Sequence, residues 1–142
     1  MSVQHASELK DLYLRTYEAF STGDLSVYEH LLSHQAGLLL IGTDPQEWWE
    51  DYGSMIEIMQ AQVAGMHDAG LQIVPGDVRA YQEGTVGWVI DRPTLRMPNG
   101  QEFSFRQTAI FHQEDGAWKM IHVYVSIGVP NAEVEPFRDV AD

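Results

Sequence analysis

The chain has no cysteine, which excludes disulfides, thiolate nucleophiles and cysteine-ligated zinc or iron–sulfur centres. Cations are nearly as scarce: eight Lys plus Arg stand against 21 Asp plus Glu, a formal net charge of −13, and Lys10 and Lys119 are the only lysines. Neutralising nucleic-acid phosphates takes clustered cations, so no nucleic-acid partner is expected, and an anionic membrane surface is disfavoured for the same reason. No apolar run reaches the ~18 residues of a membrane span. Met1-Ser2-Val3-Gln4-His5 lacks the charged and apolar regions of a signal peptide, so the expected location is cytoplasmic. No glycine-rich strand-to-helix pattern points to a nucleotide, and no cofactor is expected. His30 and His34 stand at metal-ligand spacing, but no third ligand accompanies them and no metal site is expected.

What is present is patterning. At 142 residues and 44% hydrophobic, the chain can bury one core, and no repeat or linker divides it, so residues 1–142 read as one domain. Leu9, Leu12, Tyr13, Thr16 and Phe20 form one stripe of an amphipathic helix over Ala6 to Ser21, stopped by Gly23. Asp24 caps a short second helix with Leu25, Tyr28, Leu31 and Leu32 on its apolar face. Gly37 to Gly42 brackets a buried strand. Asp44-Pro45-Gln46-Glu47 has the pattern of a capping box and predicts a helix start there, with a break near Gly53. Beyond Gly70 the pattern changes to strands over 72–82, 85–97, 102–113 and 117–127. Glu83-Gly84, Pro98-Asn99-Gly100 and Glu114-Asp115-Gly116 supply the turns. Helices followed by an antiparallel meander predict an α+β fold.

The last strand carries the most information. Strict alternation puts Trp118, Met120, His122, Tyr124 and Ser126 on one face and Lys119, Ile121, Val123, Val125 and Ile127 on the other. The first set grades from apolar to polar, as a pocket wall does from floor to mouth. The second is aliphatic and predicts burial against a second copy of the chain, hence a homodimer through the outer sheet face.

The order helix–helix–strand–helix–meander resembles the nuclear transport factor two-like superfamily and, within it, the SnoaL-like pocket proteins. The residues that carry the resemblance are Gly23-Asp24-Leu25, Gly42 to Trp49, Gly87-Trp88-Val89-Ile90-Asp91-Arg92-Pro93 and Trp118 to Pro130. It implies a cone-shaped α+β barrel, a curved antiparallel sheet with N-terminal helices across its mouth, commonly paired through the outer face. Members include isomerases, cyclases, dehydratases and epoxide hydrolases, so fold alone names no reaction. The slot of the catalytic tyrosine in the superfamily's steroid isomerases holds Thr16, their carboxylate-proline pair corresponds most nearly to Asp44-Pro45, and Tyr124 stands where close relatives often carry a second histidine. These departures argue against ketosteroid isomerisation.

Within this frame His122, Tyr124, Arg106 and Asp44 are the candidate catalytic residues. His122 would move a proton, Tyr124 and Arg106 would stabilise developing oxygen charge, and Asp44 is either an alternative base or a helix cap. Trp88, Trp48, Tyr13, Met59 and Ser126 are the candidate ligand-binding residues. The expected activity is binding of a small hydrophobic molecule, with isomerase, cyclase or lyase chemistry by general acid–base catalysis. The alternative is a dimeric domain that binds a ligand or protein without catalysis.

Overall fold

The computed structural model describes residues 2–139. Helix α1 (Ser7–Thr22) buries Leu9, Tyr13, Thr16, Tyr17 and Phe20, and closes on Gly23 in the left-handed region (φ 77°), whose N–H donates to the Ala19 carbonyl. Asp24 Oδ1 accepts the Ser26 N–H at 2.9 Å and opens α2 (Ser26–Leu31). His34 lies beyond the end of α2, stacked on Tyr52, so the helical spacing expected of His30 and His34 is not present.

The predicted helix at Asp44 does not form. Its capping bonds do: the Asp44 N–H reaches Glu47 Oε1 at 2.8 Å, and the Gln46 N–H reaches Asp44 Oδ1 at 2.9 Å. They close a turn between β2 (Leu39–Ile41) and β3 (Trp48–Trp49), an antiparallel pair whose two tryptophans favour extended backbone. Helix α3 (Tyr52–Asp68) starts seven residues later than expected, at a second N-cap where Asp51 Oδ1 accepts the Ser54 N–H at 2.8 Å.

The remaining strands are β4 (Gln72–Val74), β5 (Arg79–Glu83), β6 (Val86–Asp91), β7 (Thr94–Arg96), β8 (Glu102–Ser104), β9 (Arg106–Glu114) and β10 (Ala117–Ser126); β1 is Gln4–His5. They make a seven-stranded sheet of order β1-β5-β6-β9-β10-β2-β3 and a three-stranded sheet of order β4-β7-β8. The first sheet is open, with β1 and β3 as its edges, so the fold is an α+β cone whose sheet does not close into a barrel. Its pairs are antiparallel except β10–β2, which is parallel. The expected meander divides because Pro93 follows β6 and Phe105 precedes β9; the Phe105 N–H donates to the Pro93 carbonyl at 3.0 Å, tying the two bends together.

Helices α1 and α3 cover one face of the larger sheet. The rows facing them are Gly87, Phe111 and Met120, then Val89, Ala109, Val123 and Leu40, then Asp91, Gln107 and Val125. Phe111, Val89 and Ala109 are wholly buried. Gly87 lets the helix approach this closely: a β-carbon there would stand 2.2 Å from Leu9 Cδ1 and 2.9 Å from the Tyr81 carbonyl oxygen. No helix among the described residues is long and apolar enough to cross a membrane.

One irregularity in β10 decides which side chains meet the helices. Met120 pairs with Phe111, whereas His122 pairs with Ile110, so two steps along β10 correspond to one along β9. Ile121 is the extra residue of a bulge, and the alternation changes phase across it. Trp118 and Met120 point inward before it; Val123 and Val125 point inward after it.

Candidate functional site

A cavity of about 350 Å³ lies between the helices and the concave face of the sheet. Its walls are largely apolar. Phe20, Tyr28 and Leu32 come from the first two helices and their exit, Met59 and Met66 from α3, and Val123 and Val125 from β10. Ile73, Pro93, Leu95 and Phe105 close it from the side of the smaller sheet, which is where that sheet's separation from the larger one acquires a purpose.

Polar groups reach the cavity in two places. At the opening, exposed Thr43 and half-buried Glu47 and Gln62 form one hydrogen-bonded group. Glu47 Oε1 accepts from the Asp44 N–H at 2.8 Å and from the Thr43 hydroxyl at 3.4 Å, while Oε2 accepts from the Gln62 amide at 3.1 Å. A carboxylate oxygen has about two lone-pair sites, so Oε2 retains one. Glu47 is the only carboxylate among the described residues that line the cavity. The turn that failed to become a helix is what carries it there.

Deeper in, Tyr17 lines the cavity, and its hydroxyl donates to Asp91 Oδ2 at 2.7 Å. The Tyr13 hydroxyl stands 2.5 Å from that of Tyr17, and because Tyr17 has one proton, already given to Asp91, Tyr13 is the donor of that pair. Asp91 Oδ1 accepts the Gly76 N–H at 2.9 Å, at a point where a β-carbon on Gly76 would lie 2.5 Å from the Arg92 carbonyl oxygen. Burial, then the neighbouring hydroxyl and Asp91, drive the Tyr17 phenol far above its ordinary range. Burial also raises Tyr13 and Tyr28, so all three are neutral phenols. Tyr17 therefore serves as a donor and cannot serve as a base. The chain Tyr13–Tyr17–Asp91 satisfies three buried polar side chains at once, each of which would cost about 1–3 kcal/mol if left unpaired.

Of the candidate catalytic and ligand-binding residues, Met59 lines the cavity and the others do not, while Met120, expected on the pocket wall from the alternation of β10, lines it as well. His122, Tyr124 and Ser126 follow the bulge and face outward, which inverts the expected facing of the strand. His122 is half-buried with its Nδ1–H donating to the Leu39 carbonyl at 2.9 Å, and Tyr124 is 45% exposed. Trp88 shares that convex face, its ring 6.1 Å from that of Tyr81. Arg106 also faces outward and lines a separate cleft. Asp44 is exposed and caps its own turn. Trp48 is 56% exposed and donates to Glu50. Tyr13 is fully buried behind Tyr17. Conversely, the aliphatic set expected against a second copy is split: Val123 and Val125 line the cavity, and Ile121 sits in the bulge.

Sequence reasoning passed over Tyr17, Asp91, Glu47, Gln62 and Gln107. Two of these left a signal. Tyr13 and Tyr17 are one helical turn apart, and Asp91 is an acidic residue in phase with the buried Val89. Among the described residues no three His, Asp or Glu side chains are grouped so as to hold a metal ion.

Several solved structures share this architecture. An NTF2-like protein of unknown function from Pseudomonas putida KT2440 superimposes with a TM-score of 0.79 at 13% identity, over 89% of this chain and 92% of its own. An NTF2-like protein with a cystatin-like fold from Novosphingobium aromaticivorans gives 0.71 at 14% identity, over 92% and 86%. A candidate ketosteroid isomerase from Shewanella frigidimarina NCIMB 400 gives 0.65 at 14% identity, over 82% and 92%. At these identities the likeness is one of fold. No curated protein matches the sequence. Residues 9–130 match the model of the SnoaL-like domain, and the chain belongs to that family, within the NTF2-like fold.

Proposed function

We propose that the protein binds a small, largely hydrophobic organic molecule in the concave cavity, and that Glu47 is the group there that accepts a proton. The observation that carries this reading is the cavity itself: about 350 Å³, apolar over most of its wall, with a carboxylate and an amide side by side at its opening. Ligand sites are usually built this way, an apolar body fixed by a few polar groups. A substrate with an acidic C–H next to a carbonyl would present that hydrogen to Glu47 Oε2, giving isomerase, cyclase or lyase chemistry. A second reading, ligand binding without catalysis, is favoured by the three hydrogen bonds that Glu47 already accepts.

Two measurements decide between these readings. Nile red, a neutral apolar dye, should bind with saturation, and Leu95→Trp, which narrows the cavity from a half-buried position, should weaken it at least about tenfold, the effect of losing ~1.4 kcal/mol. Unchanged dye binding in a folded Leu95→Trp variant removes the cavity as the site. Deuterium exchange into a bound neutral cyclic ketone, followed by NMR, tests the chemistry. Glu47→Gln should slow exchange by about 10²-fold or more while leaving dye affinity within a few fold. No exchange with either protein, in the presence of binding, supports the non-catalytic reading.

We also propose that the convex face pairs with a second copy. Trp88, Ile90, Ile110 and Tyr124 share it, and Ile90 and Tyr124 are 38% and 45% exposed. This is an apolar and aromatic patch of the kind that monomers seldom leave uncovered. Light scattering at micromolar concentration should then return about twice the chain mass of 16.1 kDa, and a clean monomer would remove the proposal.

A further inference from the structure

Apart from the apolar cavity, the molecule has a second concavity of about 410 Å³, at the rim of the sheet where β5 begins, β6 ends and β9 begins. Its character is the reverse of the first. Arg79, Arg92 and Arg106 line it, three of only eight cationic side chains in a chain of formal charge −13. Chance does not readily gather so large a share of scarce cations in one hollow, and like charges held close repel unless something neutralises them.

The carboxylates inside the cleft do not complete that neutralisation. Asp77 is engaged by Arg79, whose Nε and Nη2 both stand 3.2 Å from Oδ2. Asp91 turns its two oxygens to the Tyr17 hydroxyl and the Gly76 N–H. Arg92 and Arg106 are left with no carboxylate within ion-pair distance among the described residues. Arg106 is nevertheless placed: its guanidinium lies against the backbone of Gly128, where a β-carbon would be 3.6 Å from Cζ and 3.8 Å from Nε. A guanidinium is a planar fork of N–H donors, the shape that favours two-point contact with an oxyanion. The Thr108 hydroxyl and Gln107 amide add neutral donors to the same hollow.

We infer that this cleft binds the carboxylate or phosphate group of a small molecule between Arg92 and Arg106. The site is distinct from the proposed hydrophobic one and stands whether or not that reading holds. The two are nonetheless adjacent. Gln107 lines both, and Tyr17 of the cavity wall is bonded to Asp91 of the cleft wall. The negative field of the whole chain opposes anions at long range and is screened beyond about 10 Å at 0.1 M salt, so binding should be visible at moderate ionic strength.

Inorganic phosphate and acetate, titrated separately into the wild-type protein at constant ionic strength and followed by calorimetry, test this inference and separate the two oxyanion types. Saturable binding of at least one is expected. Arg92→Gln and Arg106→Gln should each weaken it by about tenfold, as the loss of a charge-assisted pair does, whereas Arg15→Gln on the exposed side of α1 should change it less than threefold. Absence of saturation with both anions overturns the site, as does equal weakening by Arg15→Gln. Should Arg106→Gln break self-association in a protein that binds neither anion, the arginines serve a contact between copies and the inference fails.

Discussion

The two faces of the seven-stranded sheet divide their side chains against intuition. The convex face carries the groups with the most familiar chemistry, His122, Tyr124, Arg106 and Thr108, and leaves them half-buried or exposed. The concave face is lined by valine, methionine and leucine, and its polar members, Asp91 and Gln107, sit in strand positions that look unremarkable in sequence. A side chain's reactivity in isolation therefore says little about whether it faces a cavity. One backbone irregularity at Ile121 determines which set lies inward, because a change of phase in a strand exchanges every side chain beyond it.

The largest expected effect comes from placing the same charge on adjacent residues. Val123→Asp puts a carboxylate among Ala109, Leu40 and the cavity wall with no partner, and should cost roughly 4 kcal/mol or more, enough to unfold a marginal domain. Tyr124→Asp, one residue on, should change monomer stability by less than about 0.5 kcal/mol and act on self-association instead. Urea denaturation of the two variants measures the difference. If Tyr124→Asp proves the more damaging to the monomer, the faces are exchanged and the cavity must be redrawn.

Deleting Ile121 sharpens the same comparison with a smaller effect. Removal of the extra residue leaves His122 opposite Ile110 and Val123 opposite Ala109, as they are now, in a strand that alternates regularly. The protein should fold, losing about 1–3 kcal/mol from the half-buried isoleucine's packing. A strand that was already regular would instead be thrown out of phase from residue 122 onward, and the deletion would abolish folding.

Much of the fold was legible because its signals are local. The stripe of α1, the Gly23 stop and the three hairpin turns each rest on a few neighbouring residues, and each forms where expected. The site was not legible, for two physical reasons. A bulge has no residue signature of its own. It is visible only as two apolar alternations out of step, Trp118 and Met120 before Ile121, Val123 and Val125 after it. A capping box also specifies hydrogen bonds and not their continuation: Asp44 and Glu47 make the expected bonds in a turn that β2–β3 pairing then extends as a strand. Tyr17 and Asp91, 74 residues apart, meet only through the tertiary fold.

The smallest expected effect lies at the end of β9, where the convex face is tied to the buried interior. Glu114 Oε2 accepts the hydroxyl of wholly buried Ser33 at 2.5 Å and also meets His112 Nε2, on the convex side, at 2.5 Å. The Ser33 hydrogen bond, with smaller contributions from His112 and Lys119, holds the Glu114 carboxyl below its ordinary value of 4.5. A group whose folded value is depressed stabilises the fold fully above its unfolded value and loses that contribution as pH falls through the folded one. Wild-type stability should therefore decline as pH drops below about 4.5, and Ser33→Ala should decline less steeply over that range. The variant also strands the Gln35 N–H, which bonds the same hydroxyl at 3.0 Å, so a constant offset is expected at every pH and only the slope reports on Glu114. Urea midpoints of both proteins between pH 6 and pH 3 give that slope; parallel curves would mean that the Ser33 bond does not distinguish the two protonation states of Glu114.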